Sequence, residues 1–186
     1  MLSRRRFLAG ATGAILVTGA AGVSAQEGVF LDAAEAPRHL FPEADGVTER
    51  TIVSTAALRQ RVREALGRPP SVWESEYRVF AAKRGETPLG FVVVVEEIGK
   101  HRPITFAVAV DPAGRVRDLA VLAYREPYGG EVRERRFLRQ YAGKSLDDPL
   151  QPYRDIKNIS GATLSVQATG RAARKAIAVL RAGGLV

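Results

Sequence analysis

Four valines in a row, Val92 to Val95, sit inside a stretch from Leu89 to Ile98 that is predicted as a Val-rich strand. A strand wet on one side alternates apolar and polar residues, whereas a continuous β-branched run fits a central strand covered on both faces. The flanking sequence supplies neighbours for it. Glu76 to Lys83 is predicted as the preceding strand, with Arg84-Gly85-Glu86 as the turn. Ile104 to Val110 and Val116 to Tyr124 are predicted as two more. Between them stands Asp111-Pro112-Ala113-Gly114, with Pro and Gly at the second and fourth places of a turn. Links this short favour antiparallel pairing, because parallel neighbours need long crossovers.

Helical spacing appears in three places. Thr55 is a suitable N-cap for a helix from Ala56 to Leu66, with Leu58, Val62, Ala65 and Leu66 on one face. Gly67 followed by Pro69-Pro70 stops it. Val132 to Tyr141 is predicted as a second helix. Thr163 to about Arg181 is a third, with Val166, Ala173, Ile177 and Leu180 as its stripe. The last two are expected to cover the sheet. The expected fold class is therefore α+β, a twisted antiparallel sheet with helices packed on it in a single small domain. Residues 26–50 lack clear periodicity and contain Pro37 and Pro42, so they read as irregular. The chain divides into a segment 1–25, a lead-in with one helix over 26–72, and a main domain over 73–186.

The first 25 residues read as an address. Ser3-Arg4-Arg5-Arg6-Phe7-Leu8 is a twin-arginine pattern, followed by a weakly apolar run from Leu8 to Val23 and the small residues Val23-Ser24-Ala25. It resembles a Tat signal peptide. Export and cleavage near Gln26 are the expectation, placing the protein in the periplasm or on the outer face of the cytoplasmic membrane. An uncleaved N-terminal anchor is the alternative, since the run is barely long enough to span a bilayer.

Composition narrows the chemistry. An apolar share of 46% and a charged share of 26% suit a globular domain. With no Cys there is no disulfide, thiolate nucleophile, Cys-ligated cluster or Cys-attached haem. The two His, at 39 and 101, lie far apart in the chain, so no His-rich metal site is expected. Any redox chemistry must come from an organic cofactor. Without Arg4, Arg5 and Arg6, 25 Lys and Arg remain against 20 acids, a net charge of +5. The arginines are dispersed and mixed with Glu, so nucleic-acid binding is not expected.

The informative stretch is Asn158-Ile159-Ser160-Gly161-Ala162-Thr163-Leu164-Ser165, at the start of the last predicted helix. Small residues at Gly161 and Ala162 permit close approach to the backbone. First-turn N–H groups lack intrahelical partners and the helix dipole is positive there, so a phosphate is well placed. Ser160 and Thr163 add hydroxyls. A cap and a turn account for the same residue types, so the residues by themselves leave both readings open.

Ser160-Gly161-Ala162-Thr163-Leu164-Ser165 resembles the S-G-A-T-x-[ST] motif of the FMN-binding domain family, the family of the C subunit of the sodium-pumping NADH:quinone reductase and the G subunit of the Rnf complex. Asp111-Pro112-Ala113-Gly114-Arg115-Val116 resembles its D-x-x-G-x-[IV] turn. Phe137 to Lys144 resembles its F-x-x-Q-[FY]-x-G-K segment. The resemblance covers about Tyr77 to Leu180. It implies FMN as cofactor, joined through a phosphoester to Thr163 by a separate flavin transferase. Ser160, Gly161, Ala162, Leu164 and Ser165 are implied as cofactor-binding, together with Glu126, Tyr128 and Gly129 from Glu126-Pro127-Tyr128-Gly129-Gly130. That stretch departs from the family's E-T-P-G-L-G: Pro is shifted and Tyr128 is inserted, a ring that stacks on a flavin or is simply an exposed turn residue. Lys157 stands where many modified sites have Asp, with Asp155 as the nearest acid.

Other candidates carry less. Arg133, Arg135, Arg136 and Arg139 could stabilise a reduced flavin, but a solvated helix face pairing with Glu131 and Glu134 is the favoured reading. Asp147-Asp148 before Pro149 reads as a turn. The functional expectation is an exported electron carrier module rather than a stand-alone enzyme, the enzyme question staying open, with redox donor and acceptor proteins at or near the membrane. Two alternatives stand beside it: a non-covalent FMN-binding reductase, and a flavin-free periplasmic binding or interaction module.

Overall fold

The computed structural model describes residues 28–186, so the predicted Tat segment lies outside the described residues. The sheet has six strands in the order β1-β6-β5-β4-β3-β2. They are β1 (Gly28–Val29), β2 (Gly46–Val53), β3 (Glu76–Arg84), β4 (Thr87–Ile98), β5 (Pro103–Val110) and β6 (Val116–Tyr124), and every pair is antiparallel. Helices are α1 (Ala36–Leu40), α2 (Ala56–Leu66), α3 (Arg135–Leu138) and α4 (Thr163–Ala182). This is the expected α+β class, in one small domain.

The valine run behaves as a strand covered on both sides. In β4, Val93 and Val95 enter a core with Leu58 and Val62 of α2 and with Val166, Ala173, Ile177 and Leu180 of α4. Val92 enters a second core, on the opposite face, with Phe80, Ala107, Ala109 and Leu122. Alternate side chains of one strand thus serve two cores. Close backbone approach on this sheet needs Gly90: a Cβ there would stand 2.2 Å from the Val110 carbonyl oxygen.

Two expectations are corrected. The lead-in is not irregular. Its β2 pairs with β3 over its full length, and Ala36, Leu40 and Phe41 cap the second core. The strand escaped notice because it is an edge: Thr48, Glu49, Arg50 and Thr51 are all exposed, so apolar alternation is absent. Nor is Val132–Tyr141 one helix. A 3₁₀ turn (Gly130–Arg133), the short α3 and a second 3₁₀ turn (Arg139–Tyr141) replace it, with Glu134 in extended backbone at ψ 130°. This broken path buries Val132, Phe137, Leu138 and Tyr141 together in the first core. Both predicted covering segments therefore lie on one face of the sheet together with α2, and α1 covers the other.

A buried charge cluster ties α4 to β4. Lys175 is fully buried; its Nζ lies 2.6 Å from Glu74 Oε2 and donates to the carbonyls of Val72 at 2.7 Å and Glu96 at 2.9 Å. Arg171 Nε donates to the buried Glu97 Oε2 at 3.0 Å. No described helix is long and apolar enough to cross a membrane.

Candidate functional site

Three segments meet at the N-terminal end of α4: the turn Gly99–Arg102 between β4 and β5, the loop Arg125–Gly130 after β6, and the first turn of the helix. Glu126 joins the first two. It is 2% exposed, and its Oε1 accepts the backbone N–H of Arg102 at 2.8 Å and that of His101. Burial works to raise its pKa. The N–H groups of Arg102, His101 and Lys100 outweigh burial and hold the carboxyl below the usual glutamate range.

Tyr124 joins the loop to the helix. Its hydroxyl donates to the Tyr128 carbonyl and meets Ser165 Oγ at 2.9 Å. Burial raises its pKa, so it remains a neutral donor. Gly129 fills the angle between them at φ +86°. A Cβ there would stand 2.9 Å from the Tyr124 hydroxyl, 3.0 Å from Ser165 Oγ and 3.1 Å from Ala162 Cβ. No larger residue fits without moving the helix mouth.

The helix mouth itself is uncapped. Gly161 turns the chain at φ +80°, with open space where a Cβ would be, and no side chain caps the first turn at Ala162. Thr163 is the first helical residue. Its Oγ1 accepts Asn158 Nδ2 at 2.9 Å, and the same Nδ2 donates to the Tyr153 hydroxyl at 2.6 Å. Asn158 Oδ1 is buried and has no hydrogen-bond partner among the described residues.

Between these segments lies a cleft of about 540 Å³. Lys100, His101, Pro127 and Tyr128 form one wall, residues 161–165 the other, and Glu126 lies between them. Tyr128 and Leu164 are exposed, offering apolar surface to a flat ring. The uncapped first turn offers N–H donors and the positive dipole end to a phosphate. Asn158 is not part of the lining, but its Nδ2 reaches Thr163 Oγ1 on the cleft wall. The volume falls within the range of about 300–1,000 Å³ usual for ligand clefts. A phosphate and a flat ring are parts of a flavin mononucleotide, so the residues fit that group.

Of the residues singled out in the sequence, Gly161, Ala162, Thr163, Leu164, Ser165, Glu126 and Tyr128 line this cleft. Ser160 and Gly129 do not. Ser160 is exposed outside it, and Gly129 is buried between Tyr124 and Ser165. Sequence reasoning does not single out Lys100, Pro127, Tyr124 and Tyr153, and it considers His101 only as a metal ligand. Their signal is tertiary, carried by contacts such as Glu126 to a turn 24 or more residues away. The arginine group lies apart from the cleft: Arg135 pairs with Asp118 at 2.6 Å, Arg136 pairs with Glu134, and Arg133 stacks on Phe30. Asp155 binds Lys144 at 3.0 Å and the N–H groups of Leu150 and Gln151, well occupied in its own loop.

An antiparallel α+β domain with an open, phosphate-ready helix mouth is a nucleotide-cofactor domain in its chemistry. Residues 99–178 match the model of the FMN-binding domain family, which indicates FMN as the cofactor. Every residue lining the cleft falls within that span. The fold is similar to the crystal structure of Shewanella oneidensis NqrC, with a TM-score of 0.50 and 21% sequence identity, over 74% of this chain and 80% of that one. No curated protein sequence matches the chain.

Proposed function

We propose that this chain is an exported electron-transfer protein whose FMN is attached through a phosphoester to Thr163 by a separate flavin transferase. The observation that carries the reading is the position of Thr163 Oγ1, at the uncapped mouth of α4 and on the wall of the cleft. In the attachment step the Thr163 oxygen bonds to the phosphorus of the FMN half of FAD, the anhydride bond breaks, and AMP leaves. The hydroxyl proton goes to a base. Glu126 is committed to backbone N–H groups, so the transferase supplies that base. Asn158 donates to Thr163 Oγ1, which leaves the hydroxyl proton free to point at an incoming base.

Once bound, the flavin supplies one- and two-electron chemistry. The chain's own residues would hold it: helix N–H groups would take the phosphodiester charge, and Tyr128, Pro127 and Leu164 would offer apolar surface to the ring. Donor and acceptor proteins at or near the membrane complete the route. The Tat-like segment supports export of the folded, loaded protein.

The test is direct. The full chain is co-expressed with a flavin transferase, denatured, and viewed for in-gel flavin fluorescence. Wild type and Ser160→Ala fluoresce, and Thr163→Ala does not. A colourless band throughout, with yellow supernatant, would convert the reading to non-covalent binding. No thermal shift with saturating FMN would leave a flavin-free module, since a tight ligand stabilises the native state.

A further inference from the structure

A second concavity, of about 720 Å³, runs along α4 beyond the flavin cleft and shares Tyr153 with the hydrogen-bonded path to Thr163. It lies between the chain after α2, the loop 146–154 and the helix face carrying Gln167, Arg171 and Arg174. Its walls are fixed. Gly170 lets the loop sit directly on the helix, since a Cβ there would stand 2.0 Å from the Leu150 carbonyl oxygen. Arg174 Nη1 clamps the same loop by donating to the carbonyls of Leu146 at 2.9 Å and Asp148 at 2.7 Å.

The charges on these walls do not balance internally. Arg68 and the guanidinium of Arg154 make no hydrogen bond or ion pair among the described residues, and Arg174 keeps its Nε and Nη2 unspent. Burial lowers the pKa of Arg174. The proximity of Arg68 lowers it further, more than Asp147 or Asp155 raises it. Of the nearby acids, Asp148 receives Ser145 N at 2.8 Å and Asp155 pairs with Lys144, while Asp147, also on the wall, receives only Ser145 Oγ at 3.4 Å. Arg171 is spent on Glu97 and the Ile98 carbonyl. Arg68 and Arg174 thus face the concavity from separate walls, and neither forms an ion pair with the nearby Asp147 among the described residues.

A planar carboxylate satisfies one guanidinium fork. A tetrahedral dianion presents oxygens to two forks arriving from different directions. The concavity is far larger than a phosphate, and the Gln151 and Gln167 amides and the Tyr153 ring line the rest of it. We propose that this concavity binds a phosphomonoester with a polar organic body, its phosphate held between Arg68 and Arg174. The site is independent of the flavin cleft and of any modification at Thr163.

Calorimetric titration of the full chain with ribose 5-phosphate and with AMP tests this, with succinate as the carboxylate control. Saturable binding of at least one phosphate probe, and none of succinate, is expected. Arg68→Ser should weaken it by about tenfold or more, the loss of a charge-assisted hydrogen bond. Because Arg68 has no protein partner to lose, its variant should keep the wild-type melting profile. Arg174→Lys should weaken binding similarly, while Thr163→Ala should leave it unchanged. Absence of saturable binding at millimolar probe would overturn the proposal. So would equal binding by Arg68→Ser, or binding abolished by FMN or by Thr163→Ala, which would place the phosphate at the helix mouth.

Discussion

Glu126 and Thr163 share one cleft with opposite assignments, and each is decided by what already occupies its oxygens. Glu126 spends its carboxylate on the Lys100–Arg102 turn. Glu126→Ala should cost about 1 kcal/mol, the penalty for losing its hydrogen bonds to the partly buried N–H groups of the turn, read by urea unfolding. Its pH dependence follows from the sign of the shift. The folded carboxyl lies below its unfolded value, so its stabilisation is present above the ordinary glutamate pKa of about 4.3 and is lost as pH falls through the folded value. Glu126→Gln should flatten that acid limb in unfolding measured between about pH 3 and 6. Thr163 has an oxygen open to chemistry, and Thr163→Ser should retain covalent flavin in the gel assay where Thr163→Ala loses it. The motif around Thr163 was legible because it is contiguous, from Ser160 to Ser165. Lys100 and His101 were not, because a carboxylate some 25 residues on draws their turn to the helix mouth.

α4 is the element that unites both concavities, and two residues hold it in place. Lys175→Met leaves Glu74 and Glu97 without their buried cation and should destabilise the fold by about 3 kcal/mol or more, measured by chemical denaturation. Adding Glu74→Gln should recover part of that loss by removing the uncompensated charge. Gly170→Ala sets two effects against each other. Ala favours a helix interior by about 1 kcal/mol, but the 2.0 Å approach to Leu150 is backbone and cannot rotate away. Overpacking of this kind costs about 1–3 kcal/mol, so net destabilisation is expected, with the loop 146–154 displaced. Helices α2 and α4 were readable from their periodicity. The broken segment Gly130–Tyr141 was not, since its apolar residues suit a helix and only the core beneath Val132 and Phe137 selects the interrupted path.

At the level of the molecule, the family match spans 99–178, yet those residues hold only two strands of a six-stranded sheet. A chain beginning at Trp73 lacks β2, α1 and α2, leaving Phe80, Val92 and Leu122 uncovered on one face and Val93 and Val95 partly so on the other. Such a fragment should aggregate or unfold without cooperativity, while a chain from Gln26 should melt in one transition; light scattering and calorimetry distinguish them. Patterns of neighbouring residues decided the strands, the two amphipathic helices and the S-G-A-T stretch, because turns, periodicity and capping are local interactions. Which segment covers which face, what Glu126 binds and where the unpaired arginines meet came only with packing, because burial and charge compensation depend on residues distant in the chain.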